Sequence, residues 1–231
     1  MKNPDSTVPK PDQFGPLLVA LSCSAAGVLP LLVGVVDPLL WTAWISMISF
    51  PTGLLTGASG LKAWPFGLAT PGIWMIVLVC LEAMTGGTLP EPAWAAAAWT
   101  GQFVIGMAAG VFFAGRVWRA AGLGLCLTYL LCVLPVSGGS GEALWGGRSL
   151  GQASPGAAAL AFDLSPMTMV MESGGVDWMR HPFVYDPAGT EWFSDRREPY
   201  RGKLAAPVVL LLGYLGILLT RSRARAAWRL E

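Results

Sequence analysis

Six stretches of this chain are apolar over a length that spans the hydrocarbon core of a bilayer: Phe14 to Val36, Pro38 to Ala58, Pro65 to Met84, Ala93 to Gly115, Ala120 to Leu134 and Leu204 to Thr220. A helical crossing takes about 20 residues and sometimes about 17. The fifth run is short for this unless Arg119 snorkels and the run continues into Pro135 and Val136. Hydrocarbon offers no partner to backbone N–H and C=O groups, so only helices and closed barrels cross it. Barrel strands would alternate apolar and polar residues in period two, and these runs do not. The expectation is an all-α polytopic membrane protein with six transmembrane helices. Composition agrees, because 54% of the residues are hydrophobic and 13% charged, whereas a soluble domain carries about a quarter charged residues.

Lysine and arginine orient the helices. Outside the segment 137–203 these residues are Lys2, Lys10, Lys62, Arg116, Arg119, Arg221, Arg223, Arg225 and Arg229. Six crossings that start from a cytoplasmic amino terminus put all of them on the cytoplasmic side, as the positive-inside rule requires. Both termini are then cytoplasmic, and the segment between the fifth and sixth helices is extracytoplasmic. The chain divides into a five-helix membrane region, 1–136, an extracytoplasmic loop, 137–203, and a sixth helix with a basic tail, 204–231. The first apolar run is too long for a signal-peptide core and reads as a retained helix. A bacterial-type inner membrane is the expected location.

Within the runs, polar residues are sparse. Glu82, near the end of the third, and Gln102, in the fourth, are the candidate intramembrane polar positions. Glu82 lies so close to the turn TGGTLPEP that a water-reaching interfacial carboxylate is the expected role, ahead of a proton relay. The four cysteines, Cys23, Cys80, Cys126 and Cys132, fall inside runs with no CxxC or metal-ligand spacing and read as small buried hydrophobes. Gly101, Gly106, Gly110 and Gly115 give the fourth run a small-residue face for close helix packing.

The loop opens with a Gly/Ser-rich connection and continues into GAAALAFDLSPMTMVMESGG, residues 156–175. Asp163 and Pro166 break this stretch too much for a crossing. A short helix at the interface, or dipping into the bilayer and returning, fits it, with Ser165 as N-cap and Pro166 as first helical residue. Next comes DWMRHPFVYDPAGTEWFSDRREPYRG, where aromatic and charged residues interleave around the lone histidine. Trp178, Arg180, His181, Tyr185, Asp186, Trp192, Arg196 and Arg197 form the candidate cap or partner surface. His181 has no nucleophile motif and no ligand set beside it. SGGSG at 137–141 is not a GxSxG elbow, because the residue two after Ser140 is Glu142, and no HExxH, Walker A or GxGxxG pattern occurs. No catalytic residue, metal or cofactor is therefore expected, and no nucleic-acid partner.

Six crossings, a long outer segment before the last helix, the LSP of Leu164 to Pro166 and the tail RSRARAAWRLE together resemble the membrane subunits of ABC-2-type transporters. The resemblance implies a permease, working as a dimer, whose energy comes from a separate ATPase chain. It also implies docking of that ATPase on a leading amphipathic segment and on the connection between the second and third helices. Here that connection is only GASGLKAW, so the candidate cytoplasmic contacts are Lys62, Arg116, Trp118, Arg119 and the final arginines. The alternative is a non-catalytic accessory subunit that docks an extracytoplasmic partner through residues 177–202.

Overall fold

The computed structural model describes residues 15–60, 63–114, 116–137, 164–176 and 202–227. Lys62 and the candidate cap surface, Trp178, Arg180, His181, Tyr185, Asp186, Trp192, Arg196 and Arg197, lie outside them. Among the described residues all regular structure is helical. The α-helices are α1 (Gly15–Leu32), α2 (Pro38–Ala58), α3 (Trp64–Thr85), α4 (Pro92–Gly110), α5 (Val117–Ser137), α6 (Pro166–Ser173) and α7 (Gly202–Ala227), with a 3-10 turn, Val111–Phe113, continuing α4. Among the described residues four segments are long and apolar enough to cross a membrane: Pro38–Ala58, Trp64–Thr85, Pro92–Phe113 and Leu204–Arg221. Shorter apolar stretches, Leu17–Leu32 and Val117–Cys132, belong to α1 and α5.

Helix boundaries follow local chemistry. Asp37 takes an extended N-cap conformation and its carboxylate accepts from the Leu39 amide at 2.7 Å, while Pro38 sits where its missing N–H costs nothing. α3 stops because Gly86 turns left-handed at φ +84° and, like Gly87, donates its amide to the Glu82 carbonyl. α1 ends at Leu32, short of the expected Val36, since Gly34 takes φ +84° and the Val33 and Val35 amides both close on Pro30 O. α5 takes the longer of its two expected forms, with Arg119 in the first turn and Pro135 inside the last.

Contacts fix the helix directions. Ser24 meets Thr70 and Gly27 meets Trp74, so α1 and α3 run parallel. Cys23 lies against Thr52 and Gly27 against Trp41, so α1 and α2 are antiparallel. Gly53 lies against Phe103 and Gly57 against Met107, making α2 and α4 parallel; Gly101 and Gly213 do the same for α4 and α7. Gly124 of α5 lies against Pro51 and Ala120 packs with Leu54 and Ala58, so α5 is antiparallel to α2; α1, α3 and α5 thus run one way, and α2, α4 and α7 the other. Charge sorts with direction. Asp37, Glu82, Glu91 and Glu172 stand at one end of the bundle and Arg116, Arg119 and Arg221 at the other, and Lys203 in the first turn of α7 departs from the pattern. These are called the acidic and basic ends below.

α2 and α4 form the centre. A Cβ added at Gly53, Gly57, Gly106 or Gly110 would enter the partner helix's backbone, so these backbones touch directly. The small residues of α4 thus make two faces rather than one, with Gly106 and Gly110 against α2 and Gly101 against Val209 and Leu210 of α7. Fully buried aromatics fill the rest, with Trp41 edge-on to Trp99 at 5.9 Å and Trp74 edge-on to Phe103 at 6.1 Å. Cys23 and Cys132 are buried as the sequence leads one to expect, whereas Cys80 and Cys126 face outward from the bundle. An apolar run does not distinguish a core position from a lipid-facing one.

Proline inside a helix leaves the carbonyl four residues back without its usual donor. Pro30 does this to Ala26, and the Trp44 indole supplies the missing bond to Ala26 O at 2.8 Å. Trp41 donates to the neighbouring Gly27 O at 2.8 Å.

Candidate functional site

The eight residues of α6 set the geometry. Ser165 precedes the helix in extended N-cap conformation, and Pro166 is at its start. The carboxamide of Gln102, midway along α4, donates from Nε2 to Pro166 O at 3.1 Å and approaches Met169 Sδ at 3.7 Å. At the other end of α6 the carbonyl of Gly174 accepts from the Glu91 amide, at the start of α4. α6 therefore lies antiparallel to the first half of α4, with its amino terminus at mid-depth and its carboxyl terminus at the acidic end. Pro166, Thr168, Val170, Met171 and Ser173 are buried by α2, α4, α5 and α7.

The Ser165 side chain does not cap α6; it meets the Cys132 thiol, which also contacts the Met167 backbone. Gln102, 6% exposed, keeps Oε1 without a partner. Thr168 Oγ1, Trp99 Nε1, Thr42 Oγ1 and Thr128 Oγ1 are likewise buried and unpartnered.

Glu82 stands apart from this cluster. Its carboxylate accepts from the amides of Thr88 at 2.7 Å and Leu89 at 3.1 Å and from the Thr88 hydroxyl at 3.2 Å, tying down the turn between α3 and α4. Arg116 and Arg119 flank the start of α5 at the basic end, and Trp118 between them is 89% exposed. Among the described residues no three of His, Cys, Asp and Glu gather as a metal site would need.

Sequence reasoning singled out Gln102 and the start of α6 but not Thr42, Trp99, Thr128 or Thr168. In a helix a threonine ordinarily bonds the carbonyl three or four residues back, so the ones that do not are invisible until neighbouring helices are placed. No family model, curated protein or solved structure matches the chain.

Proposed function

We propose that this chain is the membrane-embedded subunit of a transporter, ABC-2-like in architecture, energised by a separate ATPase chain. The six long helices, α1 to α5 and α7, each cross the membrane in this reading. The basic end is cytoplasmic and the acidic end extracytoplasmic, in accord with the positive-inside rule. One observation carries the reading: α6 begins at mid-depth beside Gln102, among buried polar atoms that have no partner. Helix ends at membrane depth are costly unless they are buried in protein or line a polar path, and discontinuous helices of this kind form substrate sites in many transporters. A purely structural subunit has no need of unmatched polar groups there.

The test is affinity purification in mild detergent from the native host. The reading expects a stoichiometric nucleotide-binding chain to co-purify, with recovery reduced when Arg116 and Arg119 are replaced by alanine. Recovery with extracytoplasmic proteins and no ATPase would overturn it in favour of an accessory subunit.

A further inference from the structure

Hydroxyls buried in apolar helices normally donate to a carbonyl three or four residues back. Ser46, Ser49, Thr52, Thr56, Ser173 and Thr220 all do so here. Thr42 on α2 and Thr128 on α5 do not, nor does Thr168 on α6, the short helix against which α2, α4 and α5 all pack. Trp99 and Gln102 are one turn apart on α4. Gln102 bonds Pro166, two residues before Thr168. Trp99 packs edge-on to Trp41, the neighbour of Thr42. Thr128 is one turn from Cys132, which meets Ser165, and one turn from Gly124, which lies against Pro51 in the middle of α2. The remaining unpartnered indole, Trp64 Nε1, is at the basic end and outside this group.

The unpartnered atoms are one donor, Trp99 Nε1, one acceptor, Gln102 Oε1, and three hydroxyls that can serve as either. The described charged residues sit towards the two ends of the bundle, so this layer holds nothing to offset the desolvation of an ion. An uncharged molecule whose own groups both donate and accept matches it.

We propose that the layer formed by Thr42, Trp99, Gln102, Thr128 and Thr168 binds a small, neutral, hydroxyl-bearing solute. As a statement about cargo this rests on the transporter reading; as a statement about binding it stands alone. The side chains hold the solute through hydrogen bonds only, and no covalent step is involved.

The experiment follows the indole 1H–15N resonance of Trp99, assigned by its loss in Trp99→Phe, with the full chain in phosphatidylcholine nanodiscs. Glycerol and erythritol are titrated, with sodium phosphate as the ionic comparison. The expected result is a saturable shift with the polyols and none with phosphate. Half-saturation should rise at least tenfold in Thr168→Val and in Gln102→Leu. Should Gln102→Leu disturb the seat of α6, Thr128→Val removes a hydroxyl without touching that contact and should weaken binding likewise. The proposal is overturned by a polyol response that does not saturate, by saturation with phosphate alone, or by identical titrations in wild type and Thr168→Val. A layer that holds only water gives the first of these. No ATPase takes part, so a failed co-purification leaves the binding result intact, and an absent shift leaves the transporter reading to its own test.

Discussion

Single residues here do two opposite things with hydrogen bonds inside the helix bundle. The Trp44 indole completes the bonding that Pro30 takes from Ala26 O. Trp44→Phe keeps the ring but leaves that carbonyl without a donor, and should lower stability by about 1–2 kcal/mol. Chemical unfolding of the purified protein in detergent would check it, and an unchanged midpoint would contradict this account of the proline. Thr168 presents the reverse case, since its hydroxyl is buried without a partner. Thr168→Val preserves shape and removes the unmatched group, so stability should rise by about 1 kcal/mol while the proposed polyol binding weakens. A variant that loses both stability and binding would mean that the hydroxyl is bonded after all. Neither role was legible in the sequence. Proline position tells which carbonyl loses its donor, but which tryptophan reaches it depends on how α1 and α2 are set against one another.

At the scale of helices, the sequence carried much more. The second apolar run was readable to the residue because Asp37 and Pro38 mark its start and Gly60, at φ +106°, follows its end. The start of the half-helix was readable from Pro166 and the extended Ser165 before it, although the Ser165 side chain turns to Cys132 instead of capping the helix. What composition could not supply was which glycines matter. Gly106 packs against the backbone of α2, whereas a Cβ at Gly122 of α5 would meet nothing within 4 Å. Gly106→Ala should therefore cost about 1–3 kcal/mol through overpacking. Gly122→Ala should be neutral or stabilising by about 0.5–1 kcal/mol through helix propensity. Thermal unfolding of the two variants side by side checks the contrast, and equal effects would mean that α2 and α4 do not meet as described.

At the scale of the molecule, the described residues form a bundle of six long helices with alternating directions and a shorter one set among them, with the described acidic residues at one end and the described arginines at the other. Hydropathy and charge made this outline legible, because both are set by the bilayer rather than by particular partners. Reporter fusions after Gly139 and after Glu231 should lie on opposite sides of the membrane, with Gly139 outside; the same side for both would end the six-crossing reading. The proposed function depends most closely on the depth of α6, and Leu164, exposed just before it, allows that depth to be measured. A nitroxide at Leu164→Cys, in a chain whose native cysteines are replaced, can be compared by oxygen and nickel accessibility with labels at Ile76→Cys, mid-bundle, and Met84→Cys, near the acidic end. The account predicts a depth matching Ile76. A depth matching Met84 would place α6 flat at the membrane surface and contradict it.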